Sequence, residues 1–282
     1  MIQIGKFNRL PIVKFREFGA FVSGEPFGEI LVPRRFVQPE WRVGDEVELF
    51  VYTDSEDRLV ATTENPLIQA GGFAVLRVSQ CTQVGAFLSC GLSKELLVPF
   101  REQHHRLQVG EKVVAYAFVD PKSQRLVATT KIEPFLQTPA AGTYKPKDRV
   151  RAIVYQYSEL GYKVIVDQQY KGMLFADEVF EEIRYGDKLE LFVDQLRPDG
   201  KLDLVLYKTG YNKVLDFSVQ LWEHLKSSQG FLPFTDRTDP ERIYRVFGVS
   251  KKTFKKAVGD LYRQHLIVLE EEGIRMAKRT RE

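Results

Sequence analysis

The sequence contains few of the residues on which disulfide frameworks, metal centres and membrane spans depend. Its 282 residues include two cysteines and four histidines. Two cysteines without clustered histidines favour neither a disulfide framework nor a zinc site, and we expect Cys81 and Cys90 to be small buried residues of two strands. No stretch reaches the roughly 18 apolar residues of a membrane span, and the N-terminus has no long apolar core before a cleavage site. The sequence therefore predicts a cytoplasmic protein without membrane contact.

The sequence also lacks a strong excess of one charge. It has 41 Lys and Arg residues against 38 Asp and Glu residues, for a formal net charge of +3 at pH 7. Hydrophobic residues make up 44% and charged residues 28%, which is typical of globular proteins. A nucleic acid would therefore have to bind local basic patches, because the overall field is weak.

Motifs typical of enzymes are missing as well. The sequence has no glycine-rich phosphate loop, no Gly-x-Ser-x-Gly elbow and no Cys-x-x-Cys pair. His104 and His105 lie in a loop with no Cys or acid at ligand spacing. One acidic segment is more typical of a solvated face than of a cation site; its members are Asp177, Glu178, Glu181 and Glu182. The sequence predicts a non-catalytic protein with no metal, cofactor or small-molecule substrate.

The hexapeptide Arg-Leu-Val-Ala-Thr-Thr occurs twice, at residues 58–63 and 125–130. These copies are 67 residues apart, and a shift of 66 residues places Phe18-Gly-Ala-Phe21 on Val84-Gly-Ala-Phe87. A third, divergent copy follows at a shift of about 76, and the residues from about 212 match none of the copies. Such a fixed period indicates repeated structural units. We expect four domains, at residues 1–66, 67–138, 139–211 and 212–282.

Each repeat contains short runs of Val, Phe and Tyr separated by Gly, Pro, Asp and Ser, which is typical of strands and turns. Five short strands can protect their edges by closing into a small barrel, as in the OB-fold. The predicted fold is therefore mainly β, with three tandem five-stranded OB barrels. The strands predicted in the first repeat are Leu10–Glu17, Gly19–Ser23, Glu29–Pro33, Glu46–Tyr52 and Leu59–Thr63.

The motif order in repeats one and two resembles that of the ribosomal S1-type RNA-binding domain. The motifs are aromatic-Gly-Ala-Phe-Val, Leu-Val-Pro, Val-Gly-Asp-x-Val and Asp-x-x-x-Arg-Leu. The resemblance implies that Phe18 and Phe21 stack on unpaired bases of single-stranded RNA, and that Asp54 and Arg58 form the polar edge of the same surface. Nearby basic residues could follow the phosphates; these are Arg16, Arg34 and Arg35.

Phenylalanines in small barrels are more often core residues than binding residues. Residues three apart on a strand face opposite sides, so a bend at Gly19 is needed to bring Phe18 and Phe21 together. Repeat two keeps Phe87 but has Val84 at the first ring position, and its second copy of the hexapeptide supplies Arg125. Repeat three has Tyr162 at the second ring position. We expect these two repeats to bind weakly or to act as spacers.

Helical periodicity begins at Val214 and predicts a first helix that ends near Ser227. A second helix is predicted after Asp239, with Pro240 at its first position, and it ends at Gly248. Ser250 caps a third helix, and a hairpin follows, so the unit resembles a winged helix. One face of the third helix is basic, which is typical either of phosphate contact or of a solvated surface. Its lysines are Lys251, Lys252, Lys255 and Lys256.

The hairpin carries Glu270, Glu271 and Glu272, which would repel phosphate and so disfavour duplex binding by the wing. Three S1-type repeats followed by a winged helix resemble the bacterial conserved virulence factor B family. This resemblance implies an RNA-binding regulator of gene expression. Two alternatives remain: a DNA-binding transcription regulator that reads through the winged helix, and an adaptor of the ribosome or of a nuclease. The winged helix could also contact a protein partner.

Overall fold

The computed structural model of the protein describes residues 2–176, 179, 182–206 and 211–277, with the backbone alone for residues 211–216. The chain forms two compact units, Met1–Gln137 and Thr138–Glu282. The first unit holds two β-barrels, and the second holds one barrel and a small α+β domain. The predicted fold class is therefore confirmed. Among the described residues, no helix is both long and apolar enough to cross a membrane.

The first barrel is closed, with strand order β1-β2-β3-β5-β4 and a parallel β3–β5 contact between Leu31 and Val60. Its strands are β1 (Lys6–Arg16), β2 (Gly19–Ser23), β3 (Glu29–Pro33), β4 (Glu46–Thr53) and β5 (Leu59–Thr62). The five strands predicted from the sequence are present. Strand β1 begins four residues before the predicted Leu10, because Lys6 already pairs with Val51 of β4. Pairing across the barrel sets this boundary, and local alternation does not reveal it.

The second barrel repeats this topology as a five-stranded sheet of order β10-β9-β6-β7-β8. Its strands are β6 (Phe73–Cys81), β7 (Gly85–Ser89), β8 (Leu96–Pro99), β9 (Lys112–Val119) and β10 (Leu126–Thr129). Cys90 is buried as predicted, but the prediction for Cys81 is wrong, because its side chain is exposed. Cys81 is the last residue of β6 and follows a bulge between Val78 and Gln80, so the core no longer covers it.

The first two barrels pack against each other through an apolar group that we call the interbarrel cluster. Phe50 is fully buried there, and Tyr52 and Val60 are nearly so. The cluster also receives the side chain of Leu126 from the second copy of the hexapeptide. Its members are Phe7, Phe50, Tyr52 and Val60 of barrel one and Leu92 and Leu126 of barrel two. The core of the hexapeptide thus has a structural role in both copies.

Polar contacts surround the interbarrel cluster. The Lys94 ammonium donates a hydrogen bond to the carbonyl of Thr53 at 2.5 Å. The carboxylate of Glu64 accepts hydrogen bonds from the backbone N–H and the hydroxyl of Ser93. Backbone bonds add to these, since the N–H of Ala70 donates to the carbonyl of Gly5 at 2.8 Å. Barrels one and two are therefore held in one arrangement by apolar, charged and backbone contacts together.

The third barrel is closed, with order β11-β12-β13-β15-β14. Its strands are β11 (Arg149–Ser158), β12 (Gly161–Val166), β13 (Tyr170–Phe175), β14 (Lys188–Leu196) and β15 (Leu202–Val205). Its core is made of aliphatic residues such as Leu174, Leu191 and Leu204, all of which are fully buried. Sequence divergence from the other repeats has therefore not changed the topology.

The C-terminal domain is a winged helix. Its elements are α1 (Tyr211–Ser227), β16 (Phe231–Leu232), α2 (Pro240–Phe247), α3 (Lys251–Arg263), β17 (Ile267–Glu270) and β18 (Gly273–Met276). The predicted caps are present: Asp239 accepts from the N–H of Glu241, and Ser250 accepts from that of Thr253. Helix α1 begins before Val214, whose side chain lies outside the described residues. Strand β16 was not predicted, because two residues show no periodicity.

Candidate nucleic-acid interface

The bend that the sequence required at the start of β2 is present at Gly19. A Cβ atom at this position would lie 2.2 Å from the carbonyl oxygen of Val32, so only glycine allows this approach of β2 to β3. The same approach occurs at Gly85 and at Gly161, each with a backbone oxygen 2.3 Å from the expected Cβ position. Each barrel therefore begins its second strand with the same tight backbone contact.

Phe18 and Phe21 lie together beside this bend. Their ring centroids are 5.8 Å apart at an interplanar angle of 84°, an edge-to-face pair. Phe18 is 60% exposed in the β1–β2 turn, and Phe21 is half-buried. The arrangement leaves aromatic faces open to solvent, where an unpaired base could stack.

Positive charge surrounds the Phe18–Phe21 pair. The Lys14 ammonium lies 5.0 Å from the Phe21 centroid and also pairs with Glu29. Arg34 follows β3 directly, and its N–H donates to the carbonyl of Phe18 at 2.9 Å. Three arginines of this barrel are exposed, and Arg35 among them lies over the ring of Phe36; these are Arg16, Arg34 and Arg35. Rings for bases and cations for phosphates therefore occur on one surface of barrel one.

Asp54 and Arg58 bind each other. Nε and Nη2 of Arg58 donate to Oδ2 of Asp54 at 2.9 and 2.8 Å, and Nη1 lies 2.8 Å from Glu56. Burial alone would raise the pKa of Asp54, but hydrogen bonds from the side chain and backbone of Arg58 outweigh it and lower that pKa. The hydrogen bond to Asp54 raises the pKa of Arg58. A phosphate would have to compete with two carboxylates for this arginine.

Arg125 also has a carboxylate partner, and that partner belongs to the other barrel. Its Nε donates to Oδ1 of Asp57, across the junction of barrels one and two. This hydrogen bond lowers the pKa of Asp57 and raises that of Arg125. Arg125 therefore supports the interbarrel contact, whereas the sequence suggested a contact with RNA.

In barrel two Phe87 occupies the second ring position and Val84 the first, as the sequence predicts. Phe87 of β7 is half-buried and is cross-strand from Leu97 of β8, just as Phe21 is cross-strand from Leu31 in barrel one. Val84 is 60% exposed in the turn position that Phe18 occupies. Barrel two therefore lacks the hairpin ring pair of barrel one.

In barrel three the assignment of Tyr162 to the second ring position is wrong. Lys14 pairs with Phe21 in barrel one, and the corresponding pair in barrel three is Gln156 with Lys163. Tyr162 instead occupies the position of the buried Ala20 and packs against the core. A one-residue error places a side chain on the opposite face of a strand, which explains the discrepancy.

The predicted basic face of α3 is present. Phe254, Ala257 and Leu261 are buried in the domain core. Among the lysines opposite them, Lys251 is half-buried and three are exposed, namely Lys252, Lys255 and Lys256. On the wing, Glu270 pairs with Arg275 at 2.6 Å, and this hydrogen bond lowers the pKa of Glu270. The helix face is therefore cationic and the wing tip acidic.

Within the described residues, no group of three or more His, Cys, Asp and Glu side chains could hold a metal ion. His105 does have an acidic neighbour that the sequence did not suggest, since its Nε2 lies 2.7 Å from Oε1 of Glu111. Three members of the acidic segment lie outside the described residues; these are Asp177, Glu178 and Glu181.

Sequence reasoning missed two cationic contacts of the candidate surfaces. Lys14 is cross-strand from Phe21, and counting back from the hairpin bend at Gly19 would have identified it. Arg106 lies over the ring of Phe100, with its Cζ 3.7 Å from the centroid. This pair comes from a loop, where no periodicity indicates it.

Two family models match parts of the chain. The S1 domain model matches residues 4–64 and 70–131, which contain the strands of barrels one and two. A model described as a CvfB-like winged helix domain matches residues 219–276. OB-folds and winged helices are modules that bind nucleic acids. Both matches therefore support nucleic-acid binding.

Curated relatives align with most of the chain. Conserved virulence factor B of Staphylococcus haemolyticus (strain JCSC1435) is 27% identical over 249 residues, covering 86% of this chain and 83% of that protein. The protein of that name from Staphylococcus aureus (strain N315) is 26% identical over 247 residues, covering 85% and 82%. A solved multidomain protein with nucleic acid binding domains from Streptococcus pneumoniae TIGR4 is 24% identical over 97% of this chain and 98% of that chain, with a TM-score of 0.42. The chain thus carries a winged helix of the CvfB type after two S1 domains, and it is similar over most of its length to proteins named conserved virulence factor B.

Proposed function

We propose that the protein binds single-stranded RNA without catalysing a reaction, and that it regulates gene expression post-transcriptionally by occupying transcripts. The observation that carries the proposal is the exposed Phe18–Phe21 pair with cations around it. In this proposal residues 1–66, 67–138 and 139–211 form three S1-type modules, and residues 212–282 form the winged helix.

Three exposed arginines of barrel one support binding of a phosphate backbone. Arg16 and Arg34 donate to backbone carbonyls, at 3.3 Å to Phe15 and 3.4 Å to Glu17. Arg35 lies over the ring of Phe36. In the part of the chain that the structure describes, none of these three arginines has a carboxylate within ion-pair distance. Their charges are therefore available to phosphates.

Stacking favours a single strand over a duplex. A base can contact Phe18 or Phe21 only when its face is free, whereas bases of a duplex are stacked on each other. Stacking also tolerates any base, so the protein would bind many sequences and gain affinity from several contacts along one strand.

The winged helix offers the main alternative, a duplex DNA reader. The cationic face of α3 favours it, and the exposed Glu271 and Glu272 at the wing tip oppose it, because phosphates pass close to the wing in such complexes. An adaptor of the ribosome or of a nuclease would use the same barrels on structured RNA or on protein. Both alternatives predict a different order of affinities from ours.

The first experiment compares labelled single-stranded RNA, single-stranded DNA, structured RNA and duplex DNA at two salt concentrations. We expect single-stranded RNA to bind most tightly, with affinity that falls as salt rises because phosphate contacts release counterions. Tighter binding to duplex DNA would contradict the proposal and support the transcription regulator. Binding confined to structured RNA would support the adaptor.

The second experiment replaces Phe18 and Phe21 with alanine. Loss of each base–aromatic stack costs about 1–3 kcal/mol of binding free energy. Phe27 is also an exposed phenylalanine of this barrel, in the β2–β3 turn, and Phe27→Ala is the matched control. Normal RNA binding by the Phe18→Ala, Phe21→Ala protein, or a large drop in its melting temperature, would show that the two rings serve the barrel and not the ligand.

A further inference from the structure

The ring that barrel two lacks in its hairpin occurs at a neighbouring position. In barrel one, the residue after β3 is Arg34, and its N–H bonds to the carbonyl of Phe18. The corresponding residue after β8 is Phe100. Because Gly85 pairs with Pro99, Phe100 follows β8 beside the turn that carries Val84. Barrel one thus has its aromatic residue in the hairpin turn, at Phe18, whereas barrel two has it directly after the third strand, at Phe100.

Phe100 is 38% exposed and is stacked with Arg106. The guanidinium Cζ lies 3.7 Å from the ring centroid, the shortest such contact that the described residues make. Arg106 is exposed, so its guanidinium is accessible to a base, and bases stack on arginine planes as well as on rings.

Arg106 differs in its partners from three other arginines of barrels one and two. Arg58 and Arg125 bind carboxylates, and Arg101 lies 3.5 Å from Glu102. Within the described residues, no carboxylate is within ion-pair distance of Arg106. Arg106 can therefore bind a phosphate without breaking an ion pair.

The loop that carries Arg106 is held in place by a buried side chain. Nε2 of Gln103 donates to the carbonyl of Val98 at 3.0 Å, and its Oε1 accepts from the N–H of Leu107 at 3.3 Å. Gln103 is buried, so both bonds are protected from water. The bonds connect the loop to β8 on both sides of Phe100 and Arg106, which preorganises the pair.

An open pocket of about 340 Å³ lies next to Arg106. Its lining is mostly polar and includes the His105–Glu111 pair. It is lined by His105, Arg106, Gln108, Val109 and Glu111. Hydrogen-bonding groups therefore lie next to the stacked pair, where they could bind the sugar and the edge of a stacked base.

We propose that barrel two carries its own binding site for single-stranded RNA, formed by the stacked Phe100–Arg106 pair and the pocket beside it. The site takes one base on the Phe100–Arg106 stack and a phosphate on the Arg106 guanidinium. It replaces the hairpin pair of barrel one, and so barrel two is a binding module and not a spacer. The inference rests on the RNA-binding function proposed above.

The test starts from the full-length Phe18→Ala, Phe21→Ala protein, which removes the rings of barrel one. An oligonucleotide of about 30 nucleotides covers two OB-folds. We expect this protein to keep measurable affinity for single-stranded RNA. The further change Phe100→Ala with Arg106→Gln should lower that affinity at least about tenfold, because it removes both a stacking partner and a phosphate ligand.

Two single changes separate stacking from charge. Arg106→Lys keeps the charge but loses the planar group, so affinity should fall while the slope of log affinity against log salt is unchanged. Lys122→Gln removes an exposed cation from the β9–β10 turn of the same barrel and should leave affinity within about twofold. Arg106 is exposed, so its variants test the site even where Phe100→Ala lowers the melting temperature.

The outcomes distinguish the two proposals. Absence of RNA binding by the unmodified protein would refute the proposed function itself. If the unmodified protein binds RNA and the Phe18→Ala, Phe21→Ala change abolishes all binding, only the site in barrel two is refuted. Equal affinity with and without the Phe100→Ala, Arg106→Gln change would also refute it, and would leave the stacked pair as a structural contact of the loop.

Discussion

Phe50→Ala should uncouple barrels one and two without unfolding either of them. Phe50 is fully buried, and its ring contacts Phe7 at 5.6 Å and Tyr52 at 6.3 Å between centroids. On the barrel-two side the same cluster contains Leu92 and Leu126. Removing the ring opens a cavity at the junction of the barrels, while the separate cores remain intact.

The expected cost is about 3–5 kcal/mol, the usual range for Phe→Ala at a buried site. That range includes the interactions of the ring with its aromatic neighbours, which contribute about 0.5–1.5 kcal/mol per pair. A domain pair of this size has a total stability of about 5–15 kcal/mol. The variant should therefore remain folded, and the loss of stability should appear as more frequent opening of the junction.

Amide hydrogen exchange measures this opening directly. The N–H of Ala70 donates to Gly5 and the N–H of Ser93 donates to Glu64, so both amides are protected only while the barrels are in contact. We expect faster exchange at both amides in Phe50→Ala. Neighbouring strand residues point to opposite faces, and the preceding Leu49 is fully buried in the core of barrel one, which makes Leu49→Ala the matched control.

Leu49→Ala should cost about 2–5 kcal/mol through the core of barrel one and leave local exchange at Ala70 and Ser93 unchanged. If Phe50→Ala instead destabilises only the strands of barrel one, with normal exchange at those two amides, the interbarrel cluster does not couple the barrels. An equal effect of the two variants on the amides would likewise contradict the reasoning.

Two further predictions concern charge. The hydrogen bond from Arg125 lowers the pKa of Asp57. Its contribution to stability is therefore present above the ordinary Asp pKa of about 3.9 and is lost as the pH falls through the lowered value. Asp57→Asn should remove this part of the acid sensitivity in melting experiments that extend from pH 7 to below the lowered pKa, and an unchanged profile would contradict the prediction. The second change replaces the lysines of the α3 face with alanine; these are Lys251, Lys252, Lys255 and Lys256. The slope of log affinity against log salt should become shallower by about 0.7 for each phosphate that these lysines neutralise. An unchanged slope would show that they form a solvated surface and do not contact RNA.

The sequence predicts those parts of the fold that depend on local periodicity. Strands β2 and β3 match their predicted bounds at both ends, and the caps at Asp239 and Ser250 define the starts of α2 and α3. Features that depend on pairing were missed. The early start of β1 is set by its pairing with β4, and the exposure of Cys81 follows a bulge. Neither leaves a signal in the neighbouring residues.

In the candidate site, too, the sequence predicts the features that depend on local residues and misses those that depend on pairing. The bend at Gly19 and the meeting of Phe18 with Phe21 follow from a turn residue and a repeat, so the sequence suffices for them. Tyr162 was misplaced because a divergent repeat gives no fixed register, and an error of one residue reverses the face. Roles that depend on distant partners, such as the bond from Arg125 to Asp57, require the folded chain.

The partners of the arginines distinguish those that support the fold from those that we propose to bind RNA. Both arginines of the repeated hexapeptide, Arg58 and Arg125, bind carboxylates, and Arg125 does so across the junction. Arg34, beside Phe18 in barrel one, and Arg106, over Phe100 in barrel two, have no such partner among the described residues. A fixed junction holds these two surfaces on one body, so a strand bound at one is presented to the other at high effective concentration. The repeated hexapeptide therefore serves to build and join the barrels, and the RNA binding that we propose depends on the residues around it that differ between the copies.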